Sequence, residues 1–91
     1  MARVFRWNDE KNESLLRERG VSFDMVLEAM DSGGLLDDVP HPDAMRYPHQ
    51  RILQVIVQGY ACAVPYVQQG DICFLKTIYR SRKVNRLHSG V

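Results

Sequence analysis

Four basic side chains lie close together near the end of this 91-residue chain, within a stretch that has the residue types of a strand. Residues 72–84 read ICFLKTIYRSRKV. If the stretch stays extended through residue 81, then Lys76, Arg80 and Arg82 project to one face of a sheet, because successive side chains of a strand point to opposite faces. A cationic row on a packed strand suits an anionic ligand or the charge that develops on a reacting phosphate.

The charge of the chain is divided unevenly along its length. Residues 1–71 hold seven Lys or Arg against eleven Asp or Glu, a charge of −4, whereas residues 72–91 hold five basic residues and no acid. A basic end on a mildly acidic body favours an acidic partner, either nucleic acid or protein. The net charge of +1 argues against a strongly nonspecific nucleic-acid binder. A solvated basic tail explains the same pattern equally well.

Other reactive side chains carry weaker signals. His49 precedes a predicted strand and can exchange a proton near neutral pH, although an exposed loop histidine is the simpler interpretation. The segment around it contains further metal-ligand types, but their spacing matches no metal motif, so no metal site is predicted. Cys62 and Cys73 lie in predicted strands, which favours buried reduced thiols over a disulfide framework.

The length and composition predict one domain over residues 1–91. Apolar residues make up 45% of the chain and charged residues 25%, which is ordinary for a globular protein. No apolar run approaches the roughly 20 residues that span a bilayer, and the N-terminus lacks the apolar core of a signal peptide. We therefore expect a cytoplasmic protein without a membrane segment.

The first half of the chain predicts a strand and two helices. Residues 4–7 are typical of a short strand, and Asn8 is a helix N-cap followed by acidic residues. The first helix should end near Gly20, which suits the left-handed conformation that often follows a helix. Ser22 then caps a second helix, whose apolar residues recur at helical spacing until Gly33 and Gly34.

The second half predicts an antiparallel sheet. A brief strand over residues 35–39 and a proline-rich loop precede three strands, over residues 52–57, 61–67 and 72 onward, joined by tight turns. Pro65 cannot donate a ladder hydrogen bond, so a bulge or an unpaired edge is expected there. The predicted fold class is α+β, with two N-terminal helices covering one face of an antiparallel sheet and the other face left partly open.

Three segments together resemble BrnT-type toxins of bacterial type II toxin–antitoxin modules. They are FRWNDEKNES at residues 5–14, ERGVSF at residues 18–23 and SRK at residues 81–83. The opening pattern, aromatic-x-Trp-(Asp/Asn)-x-x-Lys, is moderately specific, and the likeness spans nearly the whole chain. The resemblance implies a RelE-like fold, a metal-independent endoribonuclease that inhibits translation without a cofactor, and a cognate antitoxin encoded nearby.

The resemblance also implies which side chains serve the RNA. Trp7, Lys11, Arg82 and Lys83 match the family pattern, whereas Leu15, Arg19 and Thr77 depart from it. We expect Arg82 and Arg80 to stabilise the phosphorane charge, because a guanidinium fits two phosphate oxygens at once. His49 or Lys76 would transfer the proton. Further RNA contacts are expected from the side chains of Tyr79, Lys83, Lys11 and Arg19.

A noncatalytic protein-binding module of the same fold is the alternative, because a basic end and an exposed sheet face would also hold an acidic or amphipathic partner segment. Direct DNA binding is weaker, since no predicted helix has a basic recognition face. Simpler structural roles remain for two aromatic residues. Trp7 is more often a packing residue, and Tyr79 falls on the strand face that also holds Cys73 and Leu75.

Overall fold

The structure, a computed structural model, describes residues 3–81. The predicted site residues Arg82 and Lys83 lie outside this range. The elements follow the order β1 (Val4–Arg6), α1 (Asp9–Arg19), α2 (Phe23–Asp31), β2 (Leu35–Pro40), β3 (Gln50–Val57), β4 (Tyr60–Gln69), β5 (Ile72–Leu75) and β6 (Tyr79–Arg80).

Both helices begin and end close to where the sequence predicts. The Asn8 side chain accepts a hydrogen bond from the backbone N–H of Lys11 at 2.9 Å, and Ser22 accepts one from Met25 at 3.2 Å. Each is an N-cap that satisfies one of the free donors of the first helical turn. Gly20 ends α1 with φ of 71°, a left-handed conformation that costs glycine little.

The strands form one six-stranded sheet in the order β1-β5-β4-β3-β2, and β6 also pairs with β4. The predicted meander of β3, β4 and β5 is confirmed, and β2 extends it as a further antiparallel strand. β1 pairs with β5 in parallel, with Phe5 beside Cys73. The α+β class is therefore confirmed. The sheet is mixed because β1, which two helices separate from the other strands in the chain, pairs in parallel, whereas the remaining strands pair antiparallel.

The two helices pack on the same face of the sheet, as predicted. Their buried side chains meet alternate residues of the central strands in one cluster: Leu15, Val21, Phe23, Val26, Leu53, Val55, Val57, Cys62, Val64, Tyr66, Cys73, Leu75 and Ile78. Trp7 packs against this cluster and stacks on Phe23 with the ring centroids 5.6 Å apart. Its packing role is confirmed. The opposite face, here called the open face, carries Ile72 at 41% and Phe74 at 37% exposure.

The last predicted strand is broken in two, and this break overturns the predicted cationic row. Leu75 pairs with Tyr66 and Tyr79 pairs with Ala63, so three residues of one segment oppose two residues of β4. One extra residue reverses the alternation of side chains beyond it. Phe74 therefore lies on the open face, whereas Ile78 is fully buried in the core. The prediction that Lys76 and Arg80 share a face is wrong.

Pro65 explains why the break occurs where it does. Its carbonyl oxygen accepts a hydrogen bond from the backbone N–H of Lys76 at 2.8 Å, so its ring nitrogen faces the same neighbouring segment and cannot donate to it. The structure therefore contains the irregularity that the sequence predicts at Pro65. It falls on the partner segment, residues 76–78, and not on β4 itself.

A polar cluster joins the two outer strands of the sheet over the middle of β4. Both carboxylate oxygens of Asp38 on β2 lie 2.8 Å from the hydroxyl of Tyr66, which donates to them. The same carboxylate accepts from Arg51 at 3.0 Å and from Arg3, which precedes β1, at 3.1 Å. Because β1 and β2 lie at opposite ends of the strand order, the Arg3–Asp38 ion pair links the two sides of the sheet across the Tyr66 side chain.

Candidate functional site

Four of the predicted site residues border residues 76–78, the break between β5 and β6, but they do so from opposite faces of the sheet. They are Arg19, Lys76, Tyr79 and Arg80. The break is irregular because Pro65 cannot donate a ladder hydrogen bond. α1 contributes Arg19, β6 contributes Tyr79 and Arg80, and Lys76 lies in the break itself. We call this group the break-site cluster.

Arg80 lies on the helix side of β6. Arg80 pairs with Cys62 of β4, and its guanidinium carbon is 5.6 Å from the centroid of the Tyr60 ring. That distance is within the range of a cation–π interaction. Within residues 3–81, no acidic side chain forms an ion pair with Arg80. The guanidinium is exposed and retains donors for an anionic ligand.

Arg19 reaches the same region from the last turn of α1. Its Nη1 donates a hydrogen bond to the carbonyl oxygen of Ile78, two residues before Arg80. This bond ties the C-terminal end of α1 to the break between the strands. Arg19 therefore helps to hold the backbone segment that carries Arg80. The sequence does not indicate this role, because it places Arg19 on the solvated face of a predicted helix.

Lys76 and Tyr79 lie on the open face. The Lys76 Nζ is 5.4 Å from the centroid of the Phe74 ring, and Phe74 points away from the core. Tyr79 is 43% exposed and pairs with Ala63, a residue outside the core cluster. The prediction that Tyr79 shares a face with Cys73 and Leu75 is wrong, for the same reason that the cationic row is broken.

His49 lies far from the break-site cluster. Its carbonyl oxygen accepts from the backbone N–H of Gln68 at 2.9 Å, whereas Arg80 pairs with Cys62. Gln68 and Cys62 are six residues apart on β4, which is about 20 Å at the rise of a strand. The structure does not bring the His49 imidazole and the Arg80 guanidinium together, because they flank opposite ends of the same strand.

Lys11 is also distant from the cluster. It is exposed in the first turn of α1, eight residues before Arg19, and so about 12 Å away along the helix axis. Its backbone N–H donates to the Asn8 cap.

The electrostatics of the cluster affect one buried neighbour. Burial raises the pKa of the Cys62 thiol, and the positive charge of Arg80 opposes that shift only in part. Cys62 is 2% exposed and therefore stays a neutral core thiol at physiological pH.

Two further observations concern cofactors and membranes. Within residues 3–81, no group of three or more His, Cys, Asp or Glu side chains is arranged to hold a metal ion. In the same part of the chain, neither helix has the length and apolar content that crossing a bilayer requires.

Two residues that sequence reasoning missed also border the cluster. Phe74 exposes its ring on the open face, and Arg6 of β1 lies directly beside it in the parallel register. The alternation of residues 72–75 does indicate that Phe74 and Lys76 share a face. Nothing in the sequence indicates that β1 pairs with β5, so Arg6 could not have been found without the structure.

The fold and the cluster together define a small α+β protein with a half-covered sheet and exposed cations at the end of its strands. In comparisons with known proteins, no family model, no curated protein and no solved structure matches this chain.

Proposed function

We propose that this chain is the toxin of a bacterial type II toxin–antitoxin module, a divergent BrnT-type member with a RelE-like fold. In this proposal it cleaves RNA in the cytoplasm without a metal ion, inhibits translation and is neutralised by an antitoxin encoded nearby. The sequence resemblance motivates the proposal. The observation that carries it is the break-site cluster, in which exposed cations border the break on both faces of the sheet and none of them forms an ion pair with an acid within residues 3–81.

The cluster offers groups for each step of a transesterification. The 2′-oxygen of the ribose attacks the adjacent phosphorus as its proton leaves, and the bond to the 5′-oxygen breaks as that oxygen gains a proton. Arg80 would stabilise the additional negative charge on the phosphorane, since its guanidinium stays protonated and binds two oxygens. Lys76 and Tyr79 are the candidates for proton transfer, and because they lie on the other face of the sheet from Arg80, the substrate would have to bind across the edge of β6 to meet all three.

In this proposal the two arginines have different roles. Arg80 would contact the phosphate, whereas Arg19 would hold the backbone at Ile78 in place and thereby position Arg80. His49 has no role in this version of the site because of its separation from Arg80. Arg82 follows Arg80 by two residues in the chain and remains a proposed phosphate ligand, as Lys83 remains a proposed RNA contact.

Induced expression in bacteria tests the proposal. The parent chain should arrest growth and create new RNA ends, whereas Arg80→Ala should do neither. Arg46→Ala is the matched control, since Arg46 is an exposed arginine of the loop before β3 whose ion pair with Asp43 spans 3.9 Å. Both variants must be shown to fold by circular dichroism. Equal RNA cleavage by the parent and Arg80→Ala would contradict the proposed role of the cluster.

The apolar part of the open face favours the alternative, a noncatalytic module that binds a protein segment. Val4, Ile72 and Phe74 are each at least 37% exposed there. A parent chain that is folded and abundant, yet leaves both growth and RNA intact, would support this alternative and reject the ribonuclease.

A further inference from the structure

Two rings and two cations lie on one side of the open face. Phe74 and Tyr79 are 37% and 43% exposed, and Lys76 lies between them in the chain with its Nζ over the Phe74 ring. Arg6 extends the set on the neighbouring strand β1, where it pairs with Phe74. Phe5, the residue before Arg6, packs against the core, so alternation places Arg6 on the open face.

The strand register fixes the order of these side chains along β4. Phe74 pairs with Val67, the Lys76 N–H bonds to Pro65, and Tyr79 pairs with Ala63. Successive members are therefore two residues of β4 apart, and the two rings are separated by about 13 Å along the strand. The result is an alternation of ring, cation and ring, which we call the aromatic track.

The charge of the aromatic track is positive. Within residues 3–81, neither Arg6 nor Lys76 forms an ion pair with an acid. The register also places an acid, Asp37, on the open face, but on β2, which is three strands from β5 or about 14 Å away. The two cations of the track therefore keep their charge free for an anionic ligand.

Rings alternating with cations match the chemistry of single-stranded nucleic acid. Every base has a face that stacks on an aromatic side chain, and the phosphates between bases need cations. Stacked bases of one strand lie about 3.4 Å apart, so two rings about 13 Å apart cannot serve neighbours in an intact stack. The spacing fits an unstacked strand whose bases reach each ring separately, with Lys76 near an intervening phosphate.

We propose that the aromatic track binds single-stranded RNA, with Phe74 and Tyr79 as stacking platforms and Arg6 and Lys76 as phosphate contacts. The inference rests on the proposed function only in taking RNA as the ligand, since binding along the track requires no cleavage. Tyr79 is followed directly by Arg80 at the edge of the sheet. The Arg80 guanidinium lies on the helix side of β6, so a strand on the track would reach it only by passing around the edge of the sheet.

Binding of an uncleavable probe tests the track separately from catalysis. The probe is a fluorescently labelled single strand of ten mixed-sequence 2′-O-methyl nucleotides, whose blocked 2′-oxygen prevents attack. Its Kd is measured by anisotropy with the full chain. Phe74→Leu should raise the Kd roughly tenfold or more by removing a stacking surface, and Phe74→Trp should restore binding. Tyr79→Phe should bind as tightly as the parent because it keeps the ring.

Ile72→Ala is the matched control for Phe74→Leu. Ile72 lies on the same strand and face, and its exposure of 41% is close to that of Phe74, but it has no ring. Its substitution should change the Kd less than twofold. The salt dependence provides a second readout, because Lys76→Gln and Arg6→Gln should each reduce the slope of log Kd against log salt by about 0.7. All five substituted positions are exposed, and thermal melts verify that the variants fold.

Each unfavourable result overturns a stated part of the inference. Equal losses for Ile72→Ala and Phe74→Leu would mean a general apolar surface, which fits a protein partner. Binding of a blunt duplex as tightly as the single strand would also overturn it, because stacking on rings requires free base faces. Unchanged binding by Phe74→Leu, beside Arg80-dependent cleavage in cells, would refute the track and keep the ribonuclease. Phe74-dependent binding without any cleavage in cells would refute the ribonuclease and keep the aromatic track.

Discussion

The carboxylate of Asp38 should be a major source of stability in this fold. It accepts hydrogen bonds from the Tyr66 hydroxyl at 2.8 Å, from Arg51 at 3.0 Å and from Arg3 at 3.1 Å. Tyr66 is 1% exposed and cannot turn to solvent if its acceptor is removed. Asp38→Ala would therefore leave the buried hydroxyl without an acceptor for its proton, and two guanidinium groups without their shared anion.

The magnitude follows from the burial of each partner. Leaving the partner of a fully buried ion pair uncompensated costs about 3–5 kcal/mol. The side chains of Arg3, Arg51 and Asp38 are 33%, 34% and 25% exposed, so partial hydration places the cost at the lower end, about 3 kcal/mol. In a domain of this size that loss lowers the melting temperature by about 12–24 °C. Asp38→Asn keeps an acceptor for Tyr66 and should lose about half as much.

Urea unfolding and thermal melts of the parent and variants measure these costs. Asp43→Ala is the control, since Asp43 forms a surface ion pair with Arg46 across 3.9 Å and should lose less than about 1 kcal/mol. Similar losses for Asp38→Ala and Asp43→Ala would refute the argument, because they would show that the Asp38 cluster contributes no more than a surface pair.

Three further substitutions test other parts of the fold. Burial and then the hydrogen bond to Asp38 raise the pKa of Tyr66 above the ordinary tyrosine value of 10.0, so its stabilising effect is complete below that pH and is lost as the pH rises further. The parent should lose unfolding free energy above about pH 10, whereas Tyr66→Phe should lose less in the same titration. Gly34→Ala should destabilise by roughly 2 kcal/mol in thermal melts, because its Cβ would lie 2.8 Å from the carbonyl oxygens of Ala29 and Ile56. Asn12→Ala should cost about 1 kcal/mol in urea unfolding, since its Oδ1 accepts from the backbone N–H of Phe23 at 2.7 Å; an unchanged midpoint would show that this link between α1 and α2 is dispensable.

Part of the candidate site follows from local sequence and part does not. The exposed position of Arg80 is predictable, since a strand core rarely contains arginine. That Arg80 and Lys76 lie on different faces is not predictable, because a single extra residue opposite Pro65 reverses the alternation of side chains. The distance of His49 from Arg80 likewise depends on which residues of β4 each one flanks.

The role of Arg19 shows the same limit within a helix. Helical spacing places Arg19 in the last turn of α1, where a basic residue interacts well with the helix dipole. Its hydrogen bond to Ile78 joins residues 59 positions apart. No local pattern contains that information, because the contact exists only after α1 has packed on the sheet.

The sequence by itself determined the helices, their caps, the antiparallel meander and the α+β class, because caps, turn residues and apolar periodicity act over a few neighbouring residues. Tertiary structure alone decided the parallel pairing of β1 with β5, the ion pair between Arg3 and Asp38, and the faces on which Lys76, Tyr79 and Arg80 lie. These features depend on strand register and on contacts between distant segments. They are set by how the whole core packs, and a change of one residue in register reverses them.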